Sequence, residues 1–167
     1  MTSRTAVSVK PSASRALRIG GWANMAIAAA HVIGLIWAWP MFRAVGIEEE
    51  MRALAAEGAA LPYVLTVIVA AAFLVFGLYA LSGVGDMRRL PLLRAGLAFI
   101  AAIYILRGTL VGGIGAVVVG DRAQIAFAVV ALFIGLCYAR GAAAYLRAST
   151  SSVAAHVGGA QTSGGVR

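Results

Sequence analysis

The sequence predicts an all-α integral membrane protein, a bundle of four transmembrane helices. Of the 167 residues, 62% are hydrophobic and 12% are charged, whereas about 25% of the residues of a soluble domain are charged. The mean hydropathy is +0.91. The apolar residues lie in long runs separated by short polar segments. A soluble protein of this length leaves exposed to water roughly a third of the surface that its unfolded chain exposes. A chain this apolar would then expose much apolar surface, so lipid has to cover it.

The chain begins with a segment that predicts no packed structure. Residues 1–18 are rich in Ser, Thr and Ala, contain scattered basic residues and lack a hydrophobic period. We therefore predict a disordered tail. The first predicted span covers residues 19–42, which is longer than the roughly 7–15 apolar residues of a signal peptide. Trp37 and Trp39 near its end are typical of the tryptophan belt at a membrane interface.

The segment "GIEEEMRALAAEG" predicts a short amphipathic helix at the membrane surface. It places three apolar residues on one helical face, Ile47, Met51 and Leu54. Glu48 and Arg52 are four residues apart, a spacing that allows an ion pair on one helix. Gly58 follows the apolar pattern and is expected to end the helix.

Three further spans are predicted, over residues 62–83, 91–118 and 123–146. Each exceeds the roughly 20 residues needed to cross about 30 Å of hydrocarbon. Residues 148–167 are again rich in Ser, Thr, Gly and Ala and are predicted to form a second disordered tail. The membrane domain therefore extends over residues 19–147, with both tails on the same side.

The positions of the basic residues predict which side faces the cytoplasm. Three basic residues flank one face of the predicted bundle, Arg43, Arg52 and Arg122. Ten flank the other face, namely Arg4, Lys10, Arg15, Arg18, Arg88, Arg89, Arg94, Arg140, Arg147 and Arg167. Cytoplasmic loops carry the excess of Lys and Arg. We predict a multi-pass protein of the bacterial inner membrane with both termini in the cytoplasm.

Arg107 is the one charged residue deep inside a predicted span, between the uncharged segments Ala95–Leu106 and Gly108–Gly120. Counting from Pro91 places it roughly 24 Å along the helix, in the outer half of the bilayer. An unpaired arginine at the bilayer centre is unfavourable by about 2.5–3.5 kcal/mol on insertion scales. Two interpretations stay open: its head group reaches the outer surface as an anchor, or it faces a polar pocket in the bundle.

Three other polar residues are candidates for lining such a pocket, His31, Asn24 and Tyr104. Asn24 and His31 lie on a stripe of small and polar residues along the first span, together with Ala28, Gly34, Leu35 and Ala38. Membrane helices turn such residues toward one another. Tyr104 lies one turn below Arg107 on the same face. The alternative for His31 is a simple hydrogen bond between helices.

A second candidate surface is the glycine-rich part of the third span. Gly108, Gly112 and Ala116 recur every four residues. This spacing produces a smooth face that another helix can approach closely, so these residues are candidates for helix packing.

The sequence contains no pattern that indicates an enzyme, a metal site or a cofactor site. It has no Ser-His-Asp set, no phosphate-binding loop and no paired catalytic carboxylates, so we assign no catalytic residue. His31 has no potential ligand three or four residues away, and Cys137 is the single cysteine. Basic residues are scattered at span ends without interleaved aromatics, which does not favour nucleic acid as a partner.

The segments "AHVIGLIWAWPMFRAVG", "GLYALSGVGDMRRLPLLR" and "YILRG" resemble small four-span inner-membrane proteins of high-GC bacteria. The resemblance covers residues Ala30 to Arg107. It implies a four-span membrane protein and carries no activity with it.

Two function hypotheses follow from the residues. In the first, the protein is a non-enzymatic accessory or interaction protein that packs through its glycine-rich face against a second copy or another membrane protein. In the second, it is a small transporter or a lipid- or ligand-binding protein with an outward-facing polar cavity around Arg107 and His31. Lipid is the surrounding solvent in both.

Overall fold

The computed structural model of the protein describes residues 11–120 and 122–162, with side chains for 12–110, 114–115, 117–118, 120 and 122–147. These residues are helical apart from short connecting turns, which confirms the predicted fold class. Four segments are long and apolar enough to cross a membrane, Ser12–Ala44, Leu61–Val84, Leu93–Leu110 and Arg122–Arg147. The chain is therefore a multi-pass membrane protein.

The first helix, α1 (Pro11–Gly34), begins well before the predicted boundary. Its Leu17 side chain is fully buried in the space left by two glycines. A Cβ added at Gly83 would lie 2.7 Å from Leu17 Cδ2, and one at Gly141 2.9 Å from Leu17 Cδ1. The prediction of a disordered tail is therefore wrong for residues 11–18, because Leu17 gains a packing site that a sequence does not display. Residues 1–10 lie outside the described residues.

A short 3₁₀ turn, Leu35–Trp37, interrupts the first span before α2 (Ala38–Ala44). Pro40 explains the interruption. It has no N–H to donate to the carbonyl of Ile36, and its ring would clash with that carbonyl in a continuous α-helix. The chain forms the tighter 3₁₀ turn just before the proline and is α-helical again from Ala38.

The predicted amphipathic helix is confirmed as α3 (Glu48–Glu57), which packs against the next helix. Ile47, Met51 and Leu54 are half-buried on its inner face, and Gly58 ends it in an extended conformation. Glu48 accepts hydrogen bonds from Arg43 (2.7 Å) and from Arg52 (2.7 Å). The two guanidinium groups, Arg43 first, lower the pKa of the Glu48 carboxyl to about 2, so this cluster keeps its charges at neutral and mildly acidic pH.

The second span, α4 (Leu61–Val84), ends at a left-handed residue, Gly85, with φ of 86°. The amide N–H of Gly85 donates to the carbonyl of Ser82, and that of Asp86 donates to Leu81. A side chain other than glycine is strained in this conformation. The turn brings the chain back into the membrane as α5 (Leu93–Leu106).

The third span changes its helical winding at Arg107. A π-helical segment, Arg107–Ile114, follows α5 and leads into the short helix α6 (Gly115–Val119). Three glycines lie in the segment, Gly108, Gly112 and Gly113, and glycine lowers the stability of a regular α-helix. The wider turn therefore occurs where the α-helix is weakest.

The last helix, α7 (Arg122–Thr162), forms the fourth span and continues beyond it. The predicted disordered tail over residues 148–167 is wrong for 148–162, which extend the helix, and residues 163–167 lie outside the described residues. Adding residues to an existing helix is far easier than nucleating a new one. The alanines of "RASTSSVAAH" favour this extension.

The four spans alternate in direction and pack mainly through α1 with α4, α5 with α7, and α1 with α7. Small residues allow the closest approach. A Cβ added at Gly21 of α1 would lie 2.9 Å from the Cβ of Ala80 in α4. Leu17 near the start of α1 and Tyr145 of α7 belong to the same buried cluster, so the beginning of α1 and the end of the fourth span lie at one end of the bundle.

Replacing Leu17 by Ala tests the packing of the first turns of α1. We expect the free energy of unfolding to fall by about 2–4 kcal/mol, because a buried leucine leaves a cavity between α4 and α7. Denaturant titration in detergent micelles, followed by circular dichroism, measures it. Leu136→Ala is the matched control, since Leu136 is 58% exposed on α7. Equal stability of the two variants would mean that residues 11–18 do not pack as described.

Candidate functional site

The centre of the bundle contains a small cluster of polar side chains, Asn24, Tyr104 and Tyr138. They come from α1, α5 and α7, and they are 0%, 5% and 0% exposed. Asn24 belongs to the predicted stripe along the first span, and this stripe is the inward face of the span: Ala28, Gly34 and Ala38 are also buried. The structure thus brings two of the four predicted ligand-binding residues, Asn24 and Tyr104, into direct contact.

The hydrogen bonds of this cluster form a closed set. The Asn24 amide donates one hydrogen to the carbonyl of Gly20 (3.0 Å) and the other to the hydroxyl of Tyr138 (3.0 Å). Its oxygen accepts the hydroxyl hydrogen of Tyr104. Tyr138 in turn donates to the carbonyl of Phe76 on α4 (2.6 Å). All four spans are therefore joined through one asparagine and two tyrosines.

Aromatic contacts surround these hydrogen bonds. The rings of Tyr104 and Tyr138 are stacked with their centroids 6.3 Å apart, and Phe76 meets Tyr104 edge to face at 6.1 Å. Among the described residues, no buried side-chain nitrogen or oxygen lacks a hydrogen-bond partner. Both amide hydrogens of Asn24 and the hydroxyl hydrogens of both tyrosines are donated to groups of the same chain. The cluster is therefore better suited to hold the helices together than to bind a ligand.

His31 lies apart from this cluster, about two turns further along α1. Its Nδ1 is 2.8 Å from the carbonyl oxygen of Ile27 on the same helix. Its ring is tilted against Phe73 of α4, with centroids 5.1 Å apart. This residue therefore contributes to the contact between α1 and α4. A role for His31 in ligand binding stays a prediction.

Arg107 lies one turn beyond Tyr104, at the junction of α5 and the π-helical segment, and its side chain is exposed. The anchor interpretation requires an exposed Arg107, because only then can its guanidinium reach the lipid head groups. The structure does not bring Arg107 into the hydrogen-bonded cluster around Asn24. The pocket interpretation likewise stays a prediction.

The predicted glycine face is partly used inside the chain. A Cβ added at Gly108 would lie 2.6 Å from Cγ of Leu132 and 2.9 Å from the carbonyl oxygen of Ala128, both on α7. Gly108 thus allows the third and fourth spans to approach closely. Positions 112 and 116 lie outside the residues whose burial and side chains the structure describes, so packing there stays a prediction.

Two buried tyrosines make hydrogen bonds between helices that were not predicted from the sequence, Tyr138 and Tyr145. The hydroxyl of Tyr145 donates to the carbonyl of Gly83 on α4. The position of Tyr138 along its span could have indicated this contact. Tyr138 lies nine residues before Arg147, and Asn24 lies six residues after Arg18. Counting both from the basic end places the two side chains at similar levels in the bilayer.

Comparison of the chain with protein-family models, curated proteins and solved structures finds no match. Among the described residues, no three His, Cys, Asp or Glu side chains come close enough to hold a metal ion. Any assignment of function therefore depends on the contacts and the surface of this bundle.

Replacing Tyr104 by Phe tests whether the cluster stabilises the bundle. The change leaves the Asn24 oxygen without its donor, so we expect unfolding to become easier by about 1–2 kcal/mol. Titration with denaturing detergent in mixed micelles measures this. Tyr63→Phe is the control, because Tyr63 is 37% exposed near the start of α4. An unchanged stability for Tyr104→Phe, with helix content preserved, would argue against the hydrogen bond.

Proposed function

We propose that this chain is a non-enzymatic accessory or interaction protein of the bacterial inner membrane, related to the four-span proteins that its sequence resembles. It packs against a second copy or another membrane protein through the glycine-rich part of its third span. The observation that carries this proposal is the uncovered position of Gly115, at the start of α6. A Cβ added there meets no atom within 4 Å.

The surface around Gly115 is apolar and exposed, with Ile114 61% and Val118 81% accessible. Since lipid gives apolar helices no hydrophobic reason to associate, small residues that permit close backbone approach are what distinguishes an interaction face from a lipid-facing one. Gly108 differs from Gly115 because α7 already occupies its surface. The proposed face therefore lies toward the outer end of the span, beyond Gly108.

The interior of the bundle supports the same proposal. The hydrogen-bonding groups of Asn24, Tyr104 and Tyr138 bind one another and the carbonyls of Gly20 and Phe76. A bundle whose central polar groups bind each other is suited to present a fixed outer surface. The alternative, a transporter or ligand-binding protein with a cavity around Arg107 and His31, receives less support, because Arg107 is exposed and His31 packs on Phe73.

The distribution of charge supports a cytoplasmic location for both termini. At the end where α1 begins, the described residues include seven arginines and one acid, Asp86; these arginines are Arg15, Arg18, Arg88, Arg89, Arg94, Arg140 and Arg147. At the opposite end the described residues include three arginines, Arg43, Arg52 and Arg122, of which Arg43 and Arg52 are paired with Glu48. The number of Lys and Arg residues marks the side that stays in the cytoplasm, whether or not they are paired with acids.

Gly115→Leu tests the interaction face. We expect the variant to fold with unchanged thermal stability, because its side chain points into open space, and to lose self-association or partner binding by about 10-fold or more. Cross-linking in native membranes and sedimentation in detergent measure assembly. Ala102→Leu is the matched control, an exposed small residue on α5. Gly108→Leu, in contrast, should destabilise the monomer. Unchanged assembly of Gly115→Leu, or a monomeric wild type without a partner, would contradict the proposal.

Reporter fusions test the orientation. We expect a fluorescent protein that matures only in the cytoplasm to be active at either terminus, and alkaline phosphatase to be active only when inserted in the α2–α3 connection. Activity of the phosphatase at one terminus and of the fluorescent protein at the other would contradict this topology.

A further inference from the structure

The basic end of the bundle contains an open recess of about 360 Å³ between the α4–α5 connection, the first turn of α5, and α7. Two arginines line it, Arg89 and Arg94, together with Leu92, Leu93 and Tyr145. Its volume falls in the range of roughly 300–1,000 Å³ that is usual for small-molecule sites. The candidate span of α5 begins at Leu93, so the recess lies at the end of a span, where lipid head groups are expected.

The recess carries positive charge that the described residues do not neutralise. Arg89 and Arg94 are exposed, and no ion pair within the described part of the chain involves either. Asp86 is the described carboxylate at this end, and it binds Arg18 through two hydrogen bonds of 2.6 and 2.9 Å. The first turn of α5 contains no acidic residue and no side-chain cap, so its N–H groups add partial positive charge beside the two guanidiniums.

The backbone around Arg89 is held in place from both sides. The buried hydroxyl of Ser82 donates to the carbonyl of Arg88 (3.0 Å) and accepts the N–H of Leu90 (2.8 Å). Tyr145, which lines the recess, is fixed by its hydrogen bond to Gly83. The recess is therefore built before a ligand arrives, and binding orders little of the backbone.

Apolar and charged side chains lie side by side at the recess. Leu92 is 80% exposed directly beside Arg89 and Arg94, whereas Leu93 is buried below it. We propose that the recess binds an anionic phosphate group, supplied by the head group of a phospholipid in the adjoining leaflet. Arg89 and Arg94 bind the phosphate oxygens, and the exposed Leu92 side chain contacts apolar parts of the same lipid. This inference concerns lipid capture and is independent of the proposed assembly through Gly115.

Native mass spectrometry of the full-length protein in detergent tests the site, with phosphatidylglycerol and phosphatidylcholine of identical acyl chains as probes. We expect a preference for phosphatidylglycerol in the wild type. In the double variant Arg89→Gln/Arg94→Gln the affinity for this lipid should fall by about 10-fold or more, since each arginine near a membrane surface contributes about 5-fold. Ala95→Trp keeps both arginines but fills the recess, and it should reduce retention as well.

Arg15→Gln/Arg140→Gln is the matched control, because it removes two exposed arginines of the same end that do not line the recess. Circular dichroism and thermal unfolding confirm that every variant folds. An equal loss in the control pair, or equal binding of both lipids by the wild type, would overturn the proposal in favour of general surface charge. If millimolar inorganic phosphate displaces the lipid, the recess is a phosphate site, but its ligand is a soluble phosphate. This outcome would overturn the assignment to a phospholipid.

Discussion

The hydrogen bonds of Asn24 are the constraint on which the arrangement of the four spans depends. Inside a bilayer there is no water to satisfy a carboxamide, so its donors and acceptor have to find partners within the protein. Those partners are a backbone carbonyl on α1 and the hydroxyls of Tyr104 and Tyr138. Rotating one of these helices, or sliding it by one turn, would leave a polar group in hydrocarbon. The network thus specifies rotation and depth at once.

Small residues and the two ends of the bundle complete this arrangement. Gly21 against Ala80 and Gly108 against Leu132 bring backbones close enough for van der Waals contacts to hold the helices together. At one end, Leu17 fills the space beside Gly83 and Gly141. At the other end, the ion cluster of Glu48 holds the surface helix α3 against the end of the first span. Directional bonds select the register, and close packing stabilises it.

Local patterns were sufficient to predict the four spans from their apolar length, the surface helix α3 from its hydrophobic period and the inward face of the first span from its small and polar residues, because these depend on residues close together in sequence. They were not sufficient to place Leu17 or residues 148–162, whose helical state depends on packing sites or on the growth of a neighbouring helix. The third span shows the same limit. Its glycines indicated a weak helix, but the sequence did not show that the weak part adopts π-helical winding, at Arg107–Ile114.

Only part of the polar cluster could be predicted from the sequence, because its members lie far apart along the chain. Asn24 and Tyr104 are conspicuous as polar residues on apolar faces, and they do meet. Tyr138 completes the cluster but lies 114 residues from Asn24, and only the relative depth of the two helices relates them. His31 was grouped with Asn24 by the stripe on the first span, and Arg107 with Tyr104 by their shared helical face. Their side chains point in other directions, toward Phe73 and toward the surface.

A double-mutant cycle between Asn24 and Tyr138 tests the central claim most directly. Asn24→Ala and Tyr138→Phe are made singly and together, and their free energies of unfolding are measured in mixed micelles. If the side chains bond as described, the double variant loses less stability than the sum of the two single variants, with a coupling energy of about 1 kcal/mol. Additive losses, within about 0.3 kcal/mol, would show that the two side chains do not interact and would contradict the account.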